Sequence, residues 1–153
     1  MIVFRLSKST YSHDLSGRGA EKAGGRWNSR GTAVLYTGES RALCTAELAV
    51  HLPLGIVPTN YALITIDIPD SAGRQEVIPE ELPDGWNASP PVRATQAIGD
   101  QFVREGNCLV LRVPSVVIQG DFNYLLNPAH SDFSQVKRLQ TEPFGFDERL
   151  FAR

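Results

Sequence analysis

The chain has 153 residues, a size at which one hydrophobic core suffices without a metal or disulfide staple, so a single domain over residues 1–153 is expected. Apolar residues make up 42% and charged residues 21%, and no apolar run approaches the roughly 18–20 residues of a membrane-spanning helix, which points to a soluble protein with no membrane partner. A formal net charge of −2 gives no global basic field for holding a polyanion, so nucleic acid is not expected as a direct ligand, and any phosphate must be gripped locally.

Residues 2–6 (Ile-Val-Phe-Arg-Leu) predict a short opening strand; the charge at Arg5 and the short apolar run do not suit a secretory signal. A polar, glycine-rich run from Ser7 to Gly31 follows, long for a connecting loop and carrying Arg18, Arg26 and Trp27. Residues 33–37 read as a strand, and Ser40 as the N-cap of a helix reaching to about Leu52, before Pro53 and Gly55. The β-rich run from Tyr61 to Ile68 stops at Pro69, Gln75 to Ile78 suits another short strand, and most of Asp70 to Pro91 reads as loop. Apolar residues at 92, 94, 97, 98, 102 and 103 predict a helix over 92–105 closed by Gly106. Beyond it, residues 108–113, 116–118 and 122–126 read as strands, and Asn127-Pro128 as a turn.

The two cysteines, Cys44 and Cys108, sit in apolar surroundings and are expected to be reduced and structural, as in a cytoplasmic protein. His13, His51 and His130 are scattered, and neither His-Glu-x-x-His nor Cys-x-x-Cys occurs, so no metal site is expected. The glycine-rich segment from Gly17 to Asn28 is neither a Rossmann fingerprint, for want of a strand running into it, nor a P-loop, for want of Gly-Lys-Ser/Thr. Its glycines still permit close approach of backbone to ligand, and Arg26 is suited to a bidentate grip on a diphosphate. Glu47 falls within or beside the apolar stripe of the helix that begins at Ser40, where a carboxylate is costly unless partnered. Each of Arg26, Tyr36 and Glu47 alone is most simply structural. Together they supply a cation, an aromatic ring and a carboxylate, a set suited to a charged planar nucleotide.

The motifs Gly17-x-Gly-Ala20, Gly24-Gly-Arg-Trp-Asn28, Val34-Leu-Tyr36, Ala46-Glu-Leu48, Gln96-x-x-Gly-Asp100, Val113-Pro-Ser115, Asn123-x-Leu-Leu-Asn-Pro-x-His130 and Phe146-Asp-x-Arg-Leu150 occur in this order along nearly the whole chain. In that order and spacing the sequence resembles the RES-domain toxins of bacterial RES–Xre type II toxin–antitoxin systems. The resemblance implies an α/β (α+β) fold similar to the ADP-ribosyltransferases, with a split β-core and flanking helices. It implies NAD as substrate, with no prosthetic group, and cleavage at the nicotinamide–ribose bond that depletes NAD and arrests growth. Transfer of ADP-ribose to a protein is the alternative chemistry, and a non-catalytic nucleotide-binding module is the alternative class. The family's catalytic residues fall on Arg26, Tyr36 and Glu47, with Trp27, Asn28, Ser115 and Asn123 as further expected NAD contacts. An Xre-type helix-turn-helix antitoxin covering the active site, and a toxin homodimer within the complex, are the partners the resemblance implies.

Overall fold

The computed structural model describes residues 1–152, in seven strands and three α-helices. The strands are β1 (Ile2–Lys8), β2 (Leu35–Gly38), β3 (Tyr61–Asp67), β4 (Arg74–Glu76), β5 (Val110–Pro114), β6 (Phe122–Leu126) and β7 (Lys137–Phe144); the helices are α1 (Arg18–Ala23), α2 (Arg41–Ala49) and α3 (Arg93–Glu105). They build one α/β domain around a mixed sheet of order β4-β5-β6-β2-β1-β3-β7, in which only the β4–β5 pair is parallel.

Pairing is uneven across this sheet. β1 pairs with β3 at all seven of its positions, from Ile2 opposite Asp67 to Lys8 opposite Tyr61, whereas β1 and β2 meet in register only where Phe4 faces Gly38. The sheet is therefore two half-sheets joined at one point, with unpaired backbone diverging on either side of the junction.

Strand alternation sorts the core into two clusters. Val110 and Leu126 join Val3, Leu35, Ile64 and Ile66 in one, while their neighbours Leu111 and Leu125 join Trp27, Val34, Val113 and Phe102 in the other. Phe102 anchors α3 in the second cluster, and burying such a ring contributes about 1.5–3 kcal/mol. As the sequence predicts, α3 ends at a left-handed Gly106, whose N–H donates to the Phe102 carbonyl.

Four elements differ from expectation. The polar run includes the short helix α1, ended by Gly24, whose N–H donates to the Ala20 carbonyl. Residues 116–118 are turn rather than strand, because the Ser115 hydroxyl accepts from the N–H groups of both Val117 and Ile118 and curls the chain back to β6. β7 is an extra strand; it borders β3 alone, is mostly exposed, and carries Lys137, Arg138 and Pro143, residues that blunt an edge and hide the alternation by which strands are read. Helix α2 starts at the Ser40 cap, whose side chain accepts from the Leu43 N–H, and stops at Ala49, short of Leu52. Its end tightens through i to i−3 bonds from His51 to Leu48 and from Leu52 to Ala49.

Candidate active site

The cleft opens where the two half-sheets diverge. Phe4, Arg5 and Leu6 of β1 form one side and Tyr36, Thr37 and Gly38 of β2 the other, with α2, the glycine-rich loop and the 87–91 segment around the mouth. Its volume, about 860 Å³, lies in the upper part of the range usual for ligand sites.

Glu47 projects from α2 into this cleft and is the only carboxylate in its wall among the described residues. Its Oε1 accepts from Ser115 Oγ and from Asn123 Nδ2, both at 2.7 Å. Ser115 itself is buried and saturated: its hydroxyl takes the two turn N–H groups and gives its proton to Glu47. The turn that displaces the expected strand at 116–118 is thus the device that aims a donor at the carboxylate. Among the described residues no protein donor reaches Oε2, which leaves that oxygen for a ligand. The sequence places Glu47, Ser115 and Asn123 in three separate motifs; the fold brings them together.

Tyr36 is held from both sides of its hydroxyl, which donates to Asn28 Oδ1 at 2.7 Å and accepts from the Trp27 N–H at 3.1 Å. Burial pushes this phenol above its ordinary value, so it stays protonated and works as a strut between β2 and the loop. Asn28, expected to touch substrate, is fully buried and outside the cleft wall; its amide donates to the carbonyls of Ala20, Ser29 and Thr32, fixing the loop instead. Gly25 is required at the crossing point, since a Cβ there would lie 2.7 Å from the Tyr36 hydroxyl oxygen and 2.9 Å from Asn28 Oδ1. Trp27 lines the cleft although only 3% of its surface is exposed, and its ring packs 6.3 Å from that of Trp86.

Two arginines face the cleft, and neither forms an ion pair among the described residues. Arg26 Nη1 donates to the carbonyls of Trp86 and Ala88, both at 2.9 Å, tying the loop to the segment that closes the cleft mouth. Arg5, in sequence a charge within an ordinary opening strand, donates from Nη1 to the Tyr36 carbonyl at 3.2 Å across the split. Its Nε is buried without a hydrogen-bond partner. Desolvation lowers the pKa of both guanidiniums from the ordinary value, yet an arginine stays charged. A buried cation with an unused donor beside an open cavity is the physical signature of an anion site. The one available clue was a charge inside an otherwise apolar strand.

Cys44 also lines the wall, and burial raises its thiol from an ordinary 9.0 to about 11, so it is not a thiolate nucleophile near neutrality. The wall therefore offers one orientated carboxylate, two cations and aromatic surface. Such a set stabilises a positive centre on a ligand that also carries anionic groups. The family model for the RES domain matches residues 2–147. The chain belongs to the RES-domain family. This RES domain is 39% identical over 142 residues to the Prs ADP-ribosylating toxin of Sphingobium sp. (strain YBL2), covering 92% of this chain and 88% of that one. It is 35% identical over 153 residues to Toxin Res of Pseudomonas putida, covering 99% and 100%. Its fold is similar to that of a chain in the crystal structure of the M. tuberculosis MbcT–MbcA toxin–antitoxin complex, with a TM-score of 0.72 at 21% identity, covering 98% of this chain and 86% of that one. The family and its named relatives make the chain a toxin of the RES type.

Proposed function

We propose that this RES domain cleaves NAD at the nicotinamide–ribose bond and arrests growth by depleting it. The observation that carries the reading is Glu47: one carboxylate in a cleft of dinucleotide-scale volume, with two donors on Oε1 and Oε2 left to a ligand. Nicotinamide departs as a neutral pyridine, taking the electron pair of the broken bond, so little general-acid assistance is needed and the barrier lies in the positive charge developing at the ribose. A fixed carboxylate stabilises that charge and accepts from a ribose hydroxyl, as carboxylates do in glycoside cleavage. The diphosphate falls to the arginines, with the unpartnered Nε of Arg5 available to it as well as Arg26. Tyr36 offers ring surface for a base, while Trp27, almost wholly buried, supports the loop behind it.

A second reading, transfer of ADP-ribose to a protein, is favoured by the name of the Sphingobium relative, an ADP-ribosylating toxin. The two share the bond that breaks and differ in the acceptor, which is water, inorganic phosphate or a protein side chain. Purified protein incubated with NAD alone, with phosphate, and with cell lysate separates them by product: free ADP-ribose, a phosphorylated ADP-ribose, or labelled protein. A folded, toxic protein that releases no nicotinamide in any of the three would overturn the proposal and leave the nucleotide-binding module in its place. We further propose a cognate helix-turn-helix antitoxin of Xre type that covers the cleft of a toxin dimer; the toxin–antitoxin complex in which the structural neighbour was solved supports the antitoxin partner.

A further inference from the structure

The motif Gln96-x-x-Gly-Asp100 has no part in the chemistry above, and no residue of α3 lines the cleft. Its three residues are spaced i, i+3 and i+4, so they share one helix face. That face grips the glycine-rich loop at alternate residues. Gln96 Nε2 donates to the Gly25 carbonyl at 3.0 Å. Asp100 accepts from the Ser29 N–H at 2.9 Å through Oδ1, and from the Ser29 hydroxyl through Oδ2. Between them, Gly99 lies so close to the loop that a Cβ would stand 1.5 Å from the Trp27 carbonyl oxygen, a distance no side chain tolerates. Gly25, Trp27 and Ser29 thus touch the helix, while Arg26, between two of them, reaches the cleft.

The flank of α3 beside Gly99 is anchored in the core. Thr95 and Phe102 are almost fully buried, and Phe102 belongs to the core cluster shared with β5 and β6. The helix therefore transmits the position of the core to the loop that carries Arg26 and Trp27. We infer that Gln96, Gly99 and Asp100 are positioning residues that set the affinity of the cleft for NAD through Arg26, without touching the ligand. This inference rests on the NAD-cleaving reading for its ligand, but its structural half does not.

Two measurements test it. Amide exchange in the full chain reads the loop directly: Gln96→Ala and Asp100→Ala are expected to speed exchange at residues 25–29 while β5 and β6 keep their protection. NAD kinetics in a double-mutant cycle read the consequence. Asp100→Ala should raise KM by about tenfold with kcat much less changed, but by less than about twofold when Arg26 is already alanine, since residues acting through one another are not additive. Asp100→Asn, which keeps the acceptor for the Ser29 N–H, should recover most of the loss. Should Asp100→Ala fail to fold, the same cycle is run with Gln96→Ala, which deletes one hydrogen bond. Equal KM effects with and without Arg26, or unaltered exchange at 25–29, would overturn the inference. A parent protein that exchanges as expected but never consumes NAD would instead sink the NAD reading.

Discussion

The two walls of the cleft are built differently. On the carboxylate wall, Glu47 is fixed by Ser115 at the end of β5 and Asn123 on β6, donors whose strands pair with each other through the sheet. On the cationic wall, Arg26 stands on a loop and is held by two backbone carbonyls, and Arg5 keeps one donor unused. The carboxylate is set in place before any ligand arrives. The arginines hold substitutes that an anion, with charge-assisted bonds roughly twice as strong as neutral ones, is able to displace. On the proposed NAD-cleaving reading, one wall is shaped for a transition state and the other for binding.

The largest effect that would sharpen this contrast is at Glu47. Glu47→Gln keeps the size of the side chain but removes the charge facing the developing cation, so kcat should fall by about 10²–10³-fold, the scale of losing one electrostatic stabiliser, with KM for NAD little changed. Nicotinamide release under saturating NAD checks it. A variant with near-parental kcat would assign Glu47 to structure and erase the distinction between the walls.

Much of this contrast was legible in the sequence, and unevenly. The Ser40 cap, the apolar face of α3 and the β-branched run of β3 are local signals, and the strands and helices they predict are present. Glu47 stood out because a carboxylate near an apolar helical stripe needs a partner, yet the partner's identity depended on a pairing 68 and 76 residues away in the chain. Ser115 was visible only as part of a motif, because a serine after proline reads as a turn whether or not its hydroxyl is aimed at anything. Arg5 was legible only as a charge in an apolar run: nothing local says that β1 and β2 share a single register position, and only that split turns a strand residue into a wall of a cleft. β7 was missed because edge strands are kept polar.

A smaller effect distinguishes the two arginines. Arg5→Gln and Arg26→Gln should both raise KM, Arg5 by about 10–100-fold, as for loss of a charged hydrogen bond of about 1.5–3 kcal/mol, and Arg26 by less, because its cation must first leave the Trp86 and Ala88 carbonyls. Isothermal titration with NAD on the slowed Glu47→Gln background measures this with little turnover. An Arg26 effect well above that of Arg5 would reverse the ranking and make the loop, rather than the strand, the main anion site.

The smallest effect is one of stability against pH. Cys44 lies on α2 one turn before Glu47, its Sγ donating to the Phe4 carbonyl at 3.2 Å, and burial lifts its thiol from 9.0 to about 11. Tyr36 is lifted in the same direction by the same cause. A group whose folded pKa lies above its unfolded value binds its proton more tightly when folded, so its contribution is complete below the unfolded pKa and is lost as pH rises through the folded one. Stability should therefore hold below about pH 9 and decline between about 9 and 11, by on the order of 2 kcal/mol from the thiol. Denaturant midpoints across that interval follow the decline, and Cys44→Ala, though less stable throughout for the cavity it leaves, should show a shallower slope. An unchanged slope would mean that the thiol ionises as freely in the fold as outside it. The junction between the half-sheets would then admit water at Cys44, beside the buried Nε of Arg5.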